Sequence, residues 1–523
     1  MGLLRHVATV SGWTAGSRVL GFLRDVLIAP VLGTGPVADA FFVAFRFPNM
    51  FRRIFAEGAF NAAFVPLFAR RLEEEGEAAA RRFAEETLAV FLFVLLALTV
   101  AAMAAMPWLM QVIAPGFRDD PGKFALTVQL SVIAFPYLMF MALMAFFGGV
   151  LNSLYRFQAA AAAPILLNVF FIVALLGIVP FTERPGHVLA WTVAAAGVAQ
   201  FLVVAVAARR AGMGLRLPLP RITPGVRRLV VLMIPGVLSA GVLQLNLIIG
   251  TIIASFRDGA VSYLYYADRI YQLPLGVIGI AFGVVLLPEL SRKLRAGDHD
   301  QALASLNRGI EFAMLLTLPA AAAIAVIARP IIVVLFERGA FDRLASEATV
   351  PALVAFALGL PAYVLVKVFQ PAFFAREDTV TPLRFAAVSV AVNIGLSLAL
   401  FPWLAHVGIA LATAVAAWGN VALLALCLAR RGFWRADARL GRRLLRILLA
   451  SALMGLGLWL AAAGLDPWLD AGLGLKAAAL LLLVFGGLGA FALLALATGA
   501  SSLAELKDLL RRRRGRPAGP AEA

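Results

Sequence analysis

From Ala477 to Leu496 the chain carries no ionisable side chain, and Leu88 to Met106 and Leu166 to Val179 are equally free of charge. An apolar run of about 20 residues matches the hydrocarbon thickness of a bilayer as a helix. Inside lipid, only helices and closed barrels satisfy every backbone amide and carbonyl, and such unbroken runs lack the period-2 alternation of a barrel strand. The chain is 62% hydrophobic and 14% charged, against roughly 45–50% and 25% for soluble domains. A water-soluble enzyme is excluded, and an all-α polytopic membrane protein is implied.

The pattern gives 14 transmembrane helices, spanning approximately 7–32, 38–68, 87–110, 125–152, 158–179, 187–208, 228–255, 260–290, 309–328, 347–374, 380–402, 407–429, 444–463 and 474–498. Several exceed the bilayer, and Pro48, Pro136 and Pro274 are the expected kinks. If alternate loops face the cytoplasm, one side carries 31 Lys and Arg and the other eight. That bias places both termini in the cytoplasm. The net charge of +17 therefore reflects loop bias rather than nucleic-acid binding. Arg18 and Arg24 interrupt the first apolar stretch, so it does not read as a cleavable signal.

Segment 35–70 resembles 259–292, with Gly35 matching Gly259 and Pro66 matching Pro288 at offsets of 224 and 222. Gly12 and Gly236, Pro136 and Pro361, and Asn168 and Asn393 repeat at offsets of 224, 225 and 225. Such an offset spans six helices, an even number, so the two copies share one topology about an axis along the membrane normal. The expected organisation is two six-helix lobes, 1–211 and 225–431, related by a pseudo-twofold, then a helix pair at 440–500 and a basic tail at 501–523. Two such lobes suggest a transporter with its site at their interface. A duplicated scaffold without transport is the plainer alternative.

Seven basic residues fall within the spans: Arg18, Arg24, Arg46, Arg52, Arg53, Arg269 and Lys367. On span 1, Ser11, Thr14, Arg18, Gly21 and Asp25 form one helical stripe, flanked by Ser17 and Arg24. On span 2, Asp39, Arg46 and Arg53 are seven apart, with Asn49 and Arg52 beside them and Glu57 one turn beyond. A charge at membrane depth costs at least ~2.5–3.5 kcal/mol, so these faces belong in a wet cavity. Clustered guanidinium forks suit a phosphate or pyrophosphate. The competing reading is internal pairing or snorkelling, strongest for Arg46 and Arg53, which have Asp39 and Glu57 in helical reach; Asp25 could likewise neutralise Arg18.

Other features are weaker. Lys367 is placed either to touch substrate or to pair with an acid on another helix. Asp298-His299-Asp300 lies in a basic loop and reads as solvated rather than metal-binding. Gly279 and Gly283 read as close helix packing. Arg511 to Arg514 in the tail suit anionic headgroups. The single Cys427 and the scattered His6, His187, His299 and His406 form no metal spacing. No cofactor, metal or nucleophile–base pair is indicated, so an enzyme is disfavoured.

The run Ser17-Arg18-Val19-Leu20-Gly21-Phe22-Leu23-Arg24-Asp25 resembles the first helix of the MurJ/MviN-like lipid II flippases, of the multidrug/oligosaccharidyl-lipid/polysaccharide exporter superfamily. So do Ala38-Asp39-Ala40-Phe41, Phe47-Pro48-Asn49, Arg52-Arg53, Ala56-Glu57-Gly58-Ala59-Phe60 and Tyr265-Tyr266-Ala267-Asp268-Arg269. The resemblance covers essentially the whole chain. It implies export of the undecaprenyl-pyrophosphate-linked peptidoglycan precursor to the outer leaflet of the bacterial inner membrane by alternating access. It implies Arg18, Arg24, Arg52 and Arg269 as cavity arginines, Asp39 as the functional acid, spans 1, 2, 7 and 8 as cavity walls, and spans 13–14 as the prenyl groove. Partners would be lipid II, membrane lipids and the wall-synthesis machinery, with the chain itself a monomer and no nucleic acid involved. One departure stands out: Gln244-Leu245-Asn246 is present, but Gly250 occupies the place of an expected helix-7 acid. The alternatives are another superfamily exporter, such as an O-antigen flippase or a drug antiporter, and a non-transporting scaffold for wall-synthesis enzymes.

Overall fold

The structure is a computed structural model that describes residues 2–54 and 60–501. Side chains at 2–8, 11, 51–54, 238–240, 242–243, 280–281 and 283–284 are not among those described. Glu57 and the basic tail thus lie outside the described residues, as do the side chains of Ser11, Arg52 and Arg53.

The described elements are helices: α1 (Gly2–Leu32), α2 (Pro36–Ile54), α3 (Phe60–Glu74), α4 (Glu77–Ala104), α5 (Met106–Ile113), α6 (Pro121–Ala134), α7 (Tyr137–Ser153), α8 (Gln158–Gly177) and α9 (Pro185–Arg210). They continue as α10 (Pro224–Ala254), α11 (Ala260–Arg295), α12 (His299–Val326), α13 (Ala328–Phe336), α14 (Arg343–Phe374), α15 (Val380–Arg430), α16 (Ala438–Leu469) and α17 (Leu473–Ala497). Among the described residues, nine helices are long and apolar enough to cross a membrane. One is α15, whose 51 residues hold both the expected spans 380–402 and 407–429. Its backbone leaves helical geometry at Ala405, φ 47° and ψ −131°, inside the expected break. The other four expected spans lie on α1, α2–α3, α10 and α11, where charge interrupts the helices or side chains are not described.

Local chemistry sets the helix ends. Pro121, Pro185 and Pro224 open α6, α9 and α10, where the missing N–H has no intrahelical role. Asp120, Thr223, Asp298 and Asp437 accept from the amides of Lys123, Val226, Gln301 and Leu440, the usual N-cap arrangement. Asp298 is thus a cap for α12. Pro136 separates α6 from α7, whereas α2 and α11 continue through Pro48 and Pro274.

Contacts divide the chain into two compact units: the described parts of 1–266, 336–345 and 401–406, and those of 267–335, 346–400 and 407–523. The first is built around phenylalanines of α3, α4 and α7. Phe60 stacks on Phe64 and Phe91 at 5.0 and 4.9 Å, and Phe64 stacks on Phe83 at 5.7 Å. The second packs α11, α12, α14 and the end of α15 through Leu286, Ile310, Leu365, Val368 and Leu424. Within it a Cβ on Gly279 would come 2.7 Å from Lys367 Nζ, so that glycine makes room for the lysine. Buried Glu311 of α12 takes Arg308 and Arg443, tying α12 to α16.

Candidate functional site: buried charge in the first unit

On α1 the polar stripe starts exposed and ends buried. Arg18 and Thr14 are exposed and Ser17 is half-buried, whereas Arg24 and Asp25 are enclosed. Arg24 donates through Nε and Nη2 to Asp25 Oδ1 at 3.0 and 2.8 Å, and through Nη1 to Asn168 Oδ1 at 3.1 Å. The rings of Phe45 and Phe171 lie 5.5 and 5.3 Å from its guanidinium carbon, a cation–π setting that suits a desolvated arginine. Asn168 of α8 donates in turn to the Ser17 carbonyl at 2.9 Å. Asp25 also accepts from the Tyr265 hydroxyl at 3.0 Å. Asp25 is therefore held by Arg24 and Tyr265, not by Arg18 two turns away.

A second node forms at the start of α2. Asp39 is completely buried and accepts from Lys123 Nζ at 2.8 Å, the Gly259 amide at 2.9 Å, the Ser262 amide at 3.0 Å and the Ser262 hydroxyl at 2.5 Å. Gly259 and Ser262 open α11, so Asp39 satisfies helix-end amides from a different helix, and an anion is favoured there. Lys123 of α6 has a side chain 1% exposed, reaches Asp258 Oδ1 at 3.0 Å, and lies 4.1 Å from the Phe117 ring centre. Asp258 itself is 92% exposed. The pattern on α2 did not reveal Lys123, which reads as one more basic residue of an external loop. Its one clue is position: three residues after Asp120, inside the first turn of an apolar helix.

Aromatic contacts join the two nodes. Phe42 stacks on Tyr265 at 3.8 Å and 16°, Arg46 lies 5.4 Å over that same tyrosine, and the Tyr266 hydroxyl donates to the Gly33 carbonyl at 3.1 Å. Asp39, Phe42 and Arg46 share one face of α2 and meet the first turns of α11 along it. Asn49 turns back to its own helix, donating to the Phe45 carbonyl at 2.8 Å. Arg269 is half-buried on α11 and belongs to the second unit. The structure thus brings Ser17, Arg24, Asp25, Asp39 and Arg46 into one connected region, and adds Lys123, Asn168, Ser262 and Tyr265.

A family model described as the lipid II flippase MurJ matches residues 28–471. The chain belongs to the MurJ family. Among its relatives, the probable lipid II flippase MurJ of Rhizobium tropici is 49% identical over 529 residues, covering 100% of this chain and 99% of the relative. The lipid II flippase MurJ of Burkholderia cenocepacia is 38% identical over 442 residues, covering 83% and 85%. Among solved structures, a lipid II flippase MurJ in an inward closed conformation aligns with a TM-score of 0.76 at 23% identity, over 96% of this chain and 99% of that one. An inward-facing multidrug resistance MATE transporter of the MOP superfamily aligns at 0.64 and 15% identity, over 79% and 95%. These structural likenesses establish the fold: the chain is an all-α, multi-pass membrane protein with the architecture of MurJ and MATE-type transporters.

Proposed function

We propose that the chain carries lipid II from the inner to the outer leaflet of the bacterial inner membrane by alternating access. Both termini lie in the cytoplasm and the chain crosses 14 times. Arg18, Arg24, Arg52 and Arg269 line a cationic cavity for the pyrophosphate, with Ser17, Asp25, Asn49, Arg53 and Glu57 around them. Asp39 closes the outer side by gripping the start of α11. The groove for the lipid tail lies between α16 and α17.

The observation that carries this reading is the buried charge of α1, α2 and α6. Arg24, Asp25, Asp39 and Lys123 are all enclosed within a membrane-embedded bundle, each at a cost that a passive scaffold need not bear. A drug antiporter for cations would present acids to its cavity, whereas among the described side chains of α1 the exposed charge is Arg18. The names of the relatives supply the substrate.

The test is leaflet-resolved accessibility of lipid II in cells that depend on this chain. Arg18→Ala, Arg52→Ala and Arg269→Ala should each abolish export at unchanged protein level. Arg24→Ala should abolish it with an added loss of stability, because buried Asp25 is left without its counter-ion. Lys replacements should rescue only partly, because an ammonium lacks the bidentate fork. Full activity in all four Ala variants would overturn the cavity and favour the scaffold.

A further inference from the structure

The linker between α9 and α10, residues 211–223, takes part in neither charged node, yet it is firmly built. Arg81 of α4 donates to the Gly212 carbonyl at 2.5 Å, Glu85 accepts from the Arg216 amide at 2.9 Å, and Glu86 accepts from the Thr223 hydroxyl at 2.8 Å. Beyond Met213 and Leu215, which pack against the core of the first unit, the linker so held leaves its apolar side chains outside. Leu217, Leu219 and Ile222 are 59%, 77% and 78% exposed, with exposed Arg216 ahead of them and exposed Arg221 between Leu219 and Ile222. The stretch 209–228 holds six arginines, at 209, 210, 216, 221, 227 and 228, and no acid.

Where the linker leaves α9, a cavity of about 520 Å³ opens, lined by Phe147, Ala205, Val206, Arg209, Met213 and Leu215 among others. The α9 surface beside it continues in exposed Leu202 and Val203. The site is thus a slot walled by apolar side chains, with polar backbone and a guanidinium on its rim, beside a ribbon in which leucine and proline alternate between Arg216 and Arg221. Water solvates the slot and the leucines poorly. A free phosphate would leave them bare, and a zwitterionic lipid brings no net charge to meet the arginines. A ligand with an acyl chain and an anionic phosphate satisfies both, and basic residues near a membrane surface each attract anionic lipid by about 1 kcal/mol.

We propose that this linker holds one anionic phospholipid of the surrounding bilayer, its chain in the slot and its phosphate on Arg209, Arg216 and Arg221. The ligand is distinct from the lipid moved in the proposed transport. Native mass spectrometry of the full-length protein, titrated with phosphatidylglycerol or phosphatidylcholine and free of lipid II, reads the binding directly.

One phosphatidylglycerol should be retained in preference to phosphatidylcholine. The triple variant Arg209→Gln, Arg216→Gln, Arg221→Gln should weaken it by about tenfold or more, and Gly214→Leu, which fills the slot, should weaken it independently. A control triple variant, Arg292→Gln, Arg295→Gln, Arg384→Gln, removes the same charge elsewhere and should leave binding intact. Equal retention of phosphatidylcholine, an unaffected linker variant, or equal loss in the control would each overturn the proposal. An acidic protein co-purifying in place of lipid and lost with the linker arginines would likewise overturn it.

Discussion

Replacing Lys123 by Met keeps the length of the side chain while removing the one cation 2.8 Å from a completely buried carboxylate. Removing one partner of a buried ion pair costs about 3–5 kcal/mol, because the other charge stays behind. Asp39 would retain the Gly259 amide, the Ser262 amide and the Ser262 hydroxyl, and hydrogen bonds to a charged group are worth about 1.5–3 kcal/mol each. Those three donors keep the anion partly compensated, so the expected loss sits at the lower end, about 3 kcal/mol. Asp39→Asn acts differently. Lys123 then keeps Asp258, which is 92% exposed, but one of the two acceptor oxygens becomes an NH2 that faces donors, so the opening turn of α11 and Lys123 share a single remaining acceptor oxygen. Since the two residues touch, their effects should be non-additive, with the double variant recovering about 2 kcal/mol relative to the sum. Unfolding of the four purified proteins in one detergent measures the cycle, and amide exchange at 259–262 locates the damage. Exchange should rise more in Asp39→Asn than in Lys123→Met. A Lys123→Met protein within 0.5 kcal/mol of wild type, with an additive double variant, would refute the reasoning.

Gly33 has φ +59°, and a Cβ there would come 2.2 Å from the Ala340 carbonyl oxygen; Gly33→Ala should therefore lose more than the ~1–2 kcal/mol of a left-handed alanine. Gly76, at φ +83° with nothing within 4 Å, is the control, and Gly76→Ala should lose no more than that when both melts are compared. Asp378 is held at about 2, below 3.8, by the Thr381 hydroxyl and amide and by Arg431. A depressed carboxylate stabilises above its unfolded value and loses that contribution as pH falls, so exchange at the first turn of α15, corrected for intrinsic rate, should be flat above pH 4 and rise from there toward 2. Asp378→Asn should abolish the transition. With Gly250 offering no carboxylate, transport should follow the membrane potential: two pyrophosphate charges gain roughly 4–5 kcal/mol at 100 mV. Proteoliposomes under a potassium diffusion potential, at equal sodium and pH, should flip faster when the substrate's side is negative; a response to an ion gradient alone would sink the idea.

The nine apolar helices among the described residues were legible because a bilayer sets a minimum length for an apolar run that crosses it. Even the break within α15 fell where Pro402 to His406 interrupts the apolar pattern. The charged stripe on α1 was legible for the same reason, since a charge is conspicuous among leucines. What periodicity cannot show is the partner of each charge. Arg24 and Asp25 point about 100° apart on a helical wheel, yet a long guanidinium arm reaches its neighbour and Asn168 together. Lys123 is 84 residues from Asp39, and nothing along the chain links them. Only the packing of α6 against α2 makes a loop-edge lysine into a counter-ion.

The two segments that the sequence offset pairs carry different electrostatics. At the offset of 224 that pairs Gly12 with Gly236, Arg24 and Asp25 fall on Ile248 and Ile249, and at 225 Asn168 falls on Asn393. The first asparagine holds a guanidinium, while Asn393 accepts from the Thr413 hydroxyl at 3.3 Å. The two asparagines thus serve different partners, one the guanidinium of a buried ion pair and the other a hydroxyl. An asparagine can therefore keep its place on an apolar helix while its polar partner changes, because its amide oxygen accepts equally from a guanidinium or a hydroxyl.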